Sequence, residues 1–237
     1  MLIIFPSMIG YMGLYGLSRI FYDHNSDTAF SLRKLWLKTV GIPVLNIHIL
    51  KEGEIYEKPA IYMGNHRSFA DPIIVCRYID AFVIAKAEVA NYPIINKGAE
   101  LTGVIWVDRN NKNSRQATRE KLVETWARGH NILVFPEGTV SSEPGTLPFK
   151  MGTFLEAAQN GIPVVPFAVE FRSKQDLWVL EKFIPQYFYQ FSKWKTEVKF
   201  SIGAPMTDSD GERLQQRTKA WIDAKLAEQQ KGWSEIF

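Results

Sequence analysis

Short apolar runs alternate with amphipathic stretches along the chain from residue 44 onward. The runs have the length of buried strands, and the amphipathic stretches repeat their apolar positions at helical spacing. The predicted strands are 44–50, 60–63, 82–85, 104–107, 132–135, 164–171 and 198–202. The predicted helices are 72–78, 113–128, 153–159 and 211–230. Such alternation favours an α/β domain over residues 41–237, with a mixed, mostly parallel sheet flanked by helices.

The first 40 residues follow a different pattern. No charged side chain precedes Arg19, and residues 30–38 place apolar side chains on one side of a helix and basic ones on the other. The uncharged run approaches the length that spans a bilayer, although Pro6 and three glycines make it a poor spanning helix. We predict a membrane-associated helical hairpin at the cytoplasmic face over residues 1–40, monotopic or peripheral, with its basic side toward anionic headgroups. Packing of both helices on a soluble core is the alternative.

Composition narrows the classes of function. The 28 basic and 25 acidic residues give a net charge of +3, too balanced for a protein that binds nucleic acid by charge alone. Cys76 is the single cysteine, so there is no disulfide framework, in keeping with a reducing compartment. No metal is expected, because His66 has no partner ligands at short spacing and Cys76 is alone. The chain also lacks the Gly-x-Ser-x-Gly elbow of α/β hydrolases.

Candidate chemistry begins where the predicted strand 60–63 ends. The following polar stretch holds His66 and Asp71, and Asp71 with Pro72 predicts a helix start in which Asp71 is the N-cap. Open α/β folds keep their sites at the carboxyl ends of strands. There a histidine can act as a general base, and a nearby carboxylate can orient the ring and stabilise the imidazolium. By itself, however, this pair is more typical of a structural turn.

Three later blocks have the same arrangement of an apolar run and polar residues at its end. Residues 103–109 end in Asp-Arg, and residues 135–139 are Phe-Pro-Glu-Gly-Thr. Residues 162–167 form an apolar run with two prolines, which favours an edge or irregular strand. Between them, the Gly-, Pro- and Ser-rich stretch 141–148 is a loop of the kind that often covers a site.

Together the four blocks resemble the glycerolipid acyltransferases, the family that includes the 1-acylglycerol-3-phosphate acyltransferases. They stand in the family's order within residues 60–170. His66 and Asp71 match its His-four-residues-Asp motif, and Phe-Pro-Glu-Gly-Thr matches its third block letter for letter. The segments 85–88 and 147–152 are also similar. This resemblance implies transfer of a fatty acyl group from acyl-CoA or an acyl carrier protein thioester to the free hydroxyl of a lysolipid, most directly 1-acylglycerol-3-phosphate.

In this interpretation His66 removes the proton from the acceptor hydroxyl and Asp71 orients His66. No cofactor is expected, since the thioester co-substrate is already activated, and an apolar tunnel or groove is expected to reach His66. The candidate substrate-binding residues are Asn65, Arg67, Ser68, Lys86, Arg109, Glu137, Gly138, Thr139 and Lys150. Among them, backbone N–H groups around Gly138 and Thr139 are candidate oxyanion donors.

Simpler roles remain open for several of these residues. Arg109 can pair with a surface carboxylate, Glu137 can cap a turn, and Asn65 and Ser68 can serve the backbone of their loop. The lysines and aromatic residues in 182–195 are either a lipid contact or part of the core and its rim.

Val140 departs from the family pattern. Many members that use lysophosphatidic acid have Arg at this position, which would bind the acceptor phosphate. Either Arg109, Lys97 or Lys150 replaces that cation, or the acceptor is another lysolipid, such as a lyso-ornithine-type aminolipid or a lysophospholipid with a larger headgroup. A non-catalytic lipid-binding protein with the same fold is the alternative from another class, although the presence of His66, Asp71 and Glu137 speaks against it.

Overall fold

A mixed sheet forms the centre of the molecule in a computed structural model that describes residues 3–21, 26–91, 103–108, 110–233 and 235. In these ranges the sheet has seven strands in the order β1-β7-β6-β2-β5-β3-β4. The strands are β1 (Ile47–Glu52), β2 (Ile61–Gly64), β3 (Ala81–Lys86), β4 (Val104–Val107), β5 (Asn131–Val134), β6 (Val164–Phe171) and β7 (Thr196–Ile202). Every pair of neighbouring strands is parallel except the pair β6–β7, which is antiparallel. The predicted mixed, mostly parallel sheet is therefore confirmed.

This topology brings five strand ends together. β2 to β6 are parallel to one another, and only β1 and β7 run in the opposite direction. The carboxyl ends of β2 to β6 therefore meet at one edge of the sheet. The blocks that follow β2, β4 and β5 in the sequence consequently converge at this edge, as open α/β sheets require. β2 lies between β5 and β6, and all four of its residues are buried.

Helices cover both faces of the sheet. The helical segments are α1 (Ile4–Phe21), α2 (Ser26–Trp36), a π-helical turn (Leu37–Gly41), α3 (Ile42–Val44), α4 (Ala70–Cys76), a 3₁₀ turn (Ala87–Asn91), α5 (Lys112–Ala127), α6 (Gly152–Asn160), a second 3₁₀ turn (Lys174–Asp176), α7 (Phe183–Phe191) and α8 (Gly211–Gln230). Residues of α1, α2, α4 and α7 belong to the core on one face. Residues of α5, α6 and α8 belong to the core on the other.

Two strand predictions need correction. β1 starts at Ile47, because Val44 ends the short helix α3 and Asn46 adopts a left-handed φ of 49° before the strand begins. β6 is not an edge strand but lies between β7 and β2. Pro166 is tolerated there because it faces the place where β7 has just ended. Its carbonyl accepts from the N–H of Gly203, one residue beyond that strand. The N–H that proline lacks would face this same place, where the ladder has ended.

The N-terminal helices pack on the core. Trp36 Nε1 donates to Ser7 Oγ at 3.0 Å, which joins α2 to α1. Two residues on the predicted basic side of the hairpin are bonded within the protein, and contact of this side with headgroups stays a prediction. Lys34 Nζ lies 2.6 Å from Asp80 Oδ2, and Arg33 donates to the carbonyl of Ala81 at 3.1 Å. Within the described ranges no helix is both long and apolar enough to cross a membrane. The boundary at residue 40 stays a prediction.

Candidate active site

His66 and Asp71 form a close pair in the loop between β2 and α4. His66 Nδ1 lies 2.7 Å from Asp71 Oδ2, and the same oxygen accepts the backbone N–H groups of Arg67 at 2.6 Å and Ser68 at 2.8 Å. Asp71 is fully buried. It is not the N-cap of α4, which begins at Ala70; its carboxylate binds the loop that precedes the helix. Three donors thus fix the carboxylate, which in turn fixes the imidazole.

An aromatic stack supports the His66 ring. The ring lies on Phe135 with 4.1 Å between centroids and an interplanar angle of 18°. Phe135 meets Phe167 edge-on at 5.8 Å. Gly64 makes this packing possible, because a Cβ at this position would lie 2.2 Å from the Phe167 ring. With Nδ1 donating to Asp71, Nε2 is the nitrogen with a free lone pair, and the side chain is 22% exposed.

Glu137 holds the backbone around His66. One carboxylate oxygen accepts from His66 N–H at 2.8 Å, and the other accepts from Leu147 N–H at 2.8 Å. Ser141 N–H donates to the carbonyl of His66 at 2.8 Å. Burial raises the pKa of Glu137, and the two backbone N–H bonds oppose that shift. Both oxygens are therefore used by the protein, and the turn-capping alternative describes this residue better than substrate binding.

Arg67 is buried rather than available to a substrate. It is 1% exposed, and its terminal nitrogens donate to the carbonyls of Ser141, Glu143 and Pro144. One of them also lies 3.0 Å from Glu170 Oε2. These contacts contradict the predicted substrate-binding role. Arg67 instead fastens the loop 141–148 to the loop that carries His66.

Replacing Arg67 by methionine should destabilise the fold. At pH 8 we expect a loss of about 3–5 kcal/mol in the free energy of unfolding, because the buried Glu170 carboxylate loses its cation. Burial already raises the pKa of Glu170, and Arg67 opposes that shift. Removal of Arg67 therefore raises the folded-state pKa further. Since the folded state then takes up a proton more readily than the unfolded chain, stability falls as pH rises through that pKa, and the loss should be smaller at pH 5.

Urea unfolding at both pH values measures this effect. Arg172→Met is the matched control, because Arg172 is half exposed, pairs with Glu197 and should contribute at most about 1 kcal/mol. Adding Glu170→Gln to Arg67→Met should remove the pH dependence. An equal loss at pH 5 and pH 8 would mean that Arg67 contributes packing and not charge.

Asn65 and Ser68 also bind the protein itself. The Asn65 side chain exchanges two hydrogen bonds of 2.8 Å with the backbone of Val169, which extends the pairing of β2 with β6. Ser68 Oγ accepts from Ala70 N–H at 3.1 Å and from Gln190 Nε2 at 2.7 Å. Both residues are buried. Ser68 therefore serves the backbone of its loop, as the alternative expected, whereas Asn65 bonds the backbone of β6 and not that of its own loop.

The turn after Glu137 offers backbone donors beside His66. Gly138, with a φ of 76°, donates its N–H to the carbonyl of Phe135 at 3.0 Å, so that group is not free for an oxyanion. Thr139 and Val140 line the same cavity as His66. In the part of the chain that the structure describes, neither of their N–H groups has a protein acceptor. These two groups replace Gly138 as candidate oxyanion donors.

The predicted cations are distributed differently. Lys86 ends β3, is exposed and lines the cavity that contains His66. Lys150 is exposed but does not line it. Arg109 and Lys97 lie outside the described residues. Among the described candidates, Lys86 is therefore the cation best placed to meet a substrate.

A cavity of about 610 Å³ reaches His66. It lies between the sheet and helices α1, α2 and α7, and its size falls within the roughly 300–1,000 Å³ of ligand sites. Apolar and aromatic side chains form most of its wall, for example Met8, Tyr11, Trp36, Ile73, Val104 and Phe183. The structure thus has the apolar cavity at His66 that the sequence led us to expect.

Comparisons with known proteins agree with this architecture. A family model described as Acyltransferase matches residues 44–170. The 1-acyl-sn-glycerol-3-phosphate acyltransferase of Escherichia coli K12 is 31% identical over 49% of this chain and 49% of its own length. The chloroplastic 1-acyl-sn-glycerol-3-phosphate acyltransferase of Arabidopsis thaliana is 30% identical, over 58% of this chain and 40% of its own. The lyso-ornithine lipid O-acyltransferase of Pseudomonas aeruginosa is 28% identical, over 60% and 54%.

One solved structure matches almost the whole chain. The crystal structure of the 1-acyl-sn-glycerophosphate (LPA) acyltransferase PlsC of Thermotoga maritima has a TM-score of 0.69 at 21% identity, and the match covers 98% of this chain and 96% of that one. At this identity the likeness shows a shared fold. The chain spans about half of the length of the curated relatives named above.

Proposed function

We propose that this chain, which belongs to the acyltransferase family, transfers a fatty acyl group from an acyl thioester to the free hydroxyl of a lysolipid. The observation that carries the proposal is the hydrogen-bonded pair of His66 and Asp71 beside an apolar cavity. The cavity has the size and the apolar wall expected of an acyl-chain site, and in this proposal the pair supplies the general base. The family match over residues 44–170 supports the same reaction type.

In the proposed reaction, His66 Nε2 takes the proton of the acceptor hydroxyl as its oxygen attacks the thioester carbonyl carbon. The Asp71 carboxylate stabilises the imidazolium that forms. The tetrahedral intermediate then collapses, the C–S bond breaks, and the departing thiolate takes the proton from His66. The products are the ester and the free thiol, so the reaction needs no covalent enzyme intermediate and no metal.

The negative charge of the tetrahedral intermediate needs hydrogen-bond donors near His66. We assign this role to the N–H groups of Thr139 and Val140, which line the cavity and have no protein acceptor in the described ranges. Preorganised donors of this kind act strongly where water is excluded. The clamp formed by Glu137 fixes the backbone of His66 on one side of this turn.

The acceptor that we propose first is 1-acylglycerol-3-phosphate, as the names of several relatives suggest. Lys86 is the cation proposed to bind its phosphate, in place of the arginine that Val140 replaces. A lyso-ornithine-type aminolipid is the second candidate, because a relative of similar identity carries that name. Acyl-CoA and acyl carrier protein both remain as donors. We place the enzyme at the cytoplasmic face of a membrane, with the exposed Ile9, Leu14 and Leu17 of α1 toward lipid.

Acyl transfer to a panel of lysolipids tests this function. With either thioester donor, we expect the fastest transfer to 1-acylglycerol-3-phosphate, slower transfer to lyso-ornithine lipid, and the slowest to lysophosphatidylcholine. Lys86→Met should raise the KM for the phosphate acceptor by about three- to tenfold with little change in kcat, since an exposed cation contributes modestly.

Lys121→Met is the control, because Lys121 lies on the exposed surface of α5 and pairs with Glu124. Transfer confined to the aminolipid would replace the first acceptor by the second. A folded protein that binds lysolipids without acylating any of them would support the non-catalytic alternative.

A further inference from the structure

Helix α7 is apolar on its outer side as well as its inner one. Its buried residues are Phe183, Gln186, Tyr187, Gln190 and Phe191, which follow the spacing of a single helical stripe. A surface helix normally carries polar side chains opposite such a stripe. Here the opposite side carries Ile184 and Phe188, which are 53% and 43% exposed, followed by Trp194, which is 90% exposed. We call these three residues and the half-exposed Tyr189 the α7 face.

The inner side of α7 is bonded to the loop that carries His66. Gln190 Nε2 donates to Ser68 Oγ at 2.7 Å. Just before the helix, the N–H of Trp178 donates to the carbonyl of Arg67 at 3.0 Å. The Gln186 side chain accepts the N–H groups of Val179 and Leu180, which holds the segment between Trp178 and the helix. The helix is therefore held in a fixed position relative to the proposed general base.

The buried stripe of α7 also forms part of the cavity wall. Phe183 and Tyr187 line the cavity that reaches His66. The Tyr187 ring contacts Phe5 of α1 with 5.3 Å between centroids, and Phe183 meets Phe69 edge-on at 4.8 Å. The α7 face thus lies on the outside of the wall that separates the cavity from solvent, next to the helix with the exposed Ile9, Leu14 and Leu17.

Positive and negative charges around the α7 face are balanced. Residues 179–195 contain three lysines and one glutamate. Lys193 neutralises the buried Asp176, so the surface itself has Lys182 and Lys195 against Glu181. Lys195 also bonds Glu197. With Glu197 counted, these surface charges balance, so the exposed apolar and aromatic groups carry the match to a bilayer interface, where Trp and Tyr lie at headgroup depth.

We propose that the α7 face binds the surface of a lipid bilayer and so holds the outer wall of the cavity against the membrane. This rests on the proposed function in one respect: acyl chains and lysolipids are bilayer components that must pass between membrane and cavity. A binding face on the same helix that lines the cavity and anchors the His66 loop orients the site toward its substrates. This face lies outside the apolar N-terminal segment and adds a second contact with lipid.

Co-sedimentation of the full chain with vesicles tests the proposal. Vesicles of phosphatidylcholine alone and of phosphatidylcholine with phosphatidylglycerol are compared. Phe188→Ser should lower the partition coefficient about tenfold on both, and Ile184→Ser by a similar factor, because each removes a large apolar side chain from the interface. Leu155→Ser is the matched control, since Leu155 is 45% exposed on α6, which packs on the opposite face of the sheet. It should change partition by less than about twofold.

Vesicle binding needs no turnover, so it is separable from the proposed reaction. In the same samples, transfer to lysolipid dispersed in detergent should stay within about twofold of the wild type for Phe188→Ser, and transfer to vesicle-embedded lysolipid should fall with binding. Equal partition of Phe188→Ser, Leu155→Ser and the wild type would overturn the proposal. So would a Phe188→Ser variant that loses self-association or acyl carrier protein binding while its vesicle partition is unchanged.

Discussion

Replacement of His66 by alanine is expected to lower the rate of acyl transfer by about a thousandfold or more while the fold is retained. Without the imidazole, the proposed reaction loses the base that takes the proton of the attacking hydroxyl. The ring is partly exposed and contacts mainly Phe135 and Asp71, so its removal leaves the core strands in place. The rate with thioester and 1-acylglycerol-3-phosphate measures the loss.

His48→Ala is the matched control for this variant. His48 lies exposed on β1, at the far edge of the sheet. Among the described residues, its ring bonds only the nearby Asn46 side chain. It should leave transfer unchanged within about twofold. An unfolding midpoint within a few degrees of the wild type would show that His66→Ala is folded. Transfer by that folded variant at more than a tenth of the wild-type rate would remove the general base from the mechanism.

The strands, and the motif blocks that follow them, could be predicted because each depends on a short stretch of sequence. The four-residue apolar run 60–63 is too short for a typical helix and so favours a buried strand, and the polar residues that follow it emerge at the strand end. Helix α7 escaped prediction for the opposite reason. Gln186 and Gln190 lie inside, where their amides bond the backbone and Ser68, whereas Ile184 and Phe188 lie outside. Because the buried side mixes these glutamines with aromatic residues and the exposed side is partly apolar, the contrast on which helical patterns depend is blurred.

Roles within the motif could not be predicted, because the deciding partners are distant in the sequence. Arg67 has the chemistry of a phosphate ligand, yet its partner Glu170 lies about a hundred positions along the chain. Asn65 is similarly occupied by the backbone of Val169. Residue type alone shows what a side chain can bind. Only the fold shows that these two are already bound, whereas His66 keeps one ring nitrogen beside the cavity.

A carboxylate can orient a catalytic histidine and can stabilise its charged form, and two variants of Asp71 distinguish these effects. Asp71→Ala leaves the ring and two buried N–H groups without an acceptor, so we expect the rate to fall about a thousandfold. The cost in stability should reach several kcal/mol, at about 1–3 kcal/mol for each unsatisfied group. Because this variant can fail to fold, Asp71→Asn is the more informative change.

In Asp71→Asn the amide oxygen must occupy the position of Oδ2, since two backbone N–H groups already point there and would repel an NH₂ group. The bond to His66 Nδ1 and the ring tautomer therefore survive, but the negative charge is lost. We expect kcat to fall only about a hundredfold. The amide NH₂ takes the place of Oδ1, which has no protein partner among the described residues, so stability should fall by about 1–3 kcal/mol. Equal kcat values for Asp71→Asn and a folded Asp71→Ala would show that orientation contributes nothing once the charge is gone. Full activity of Asp71→Asn would show that orientation alone suffices.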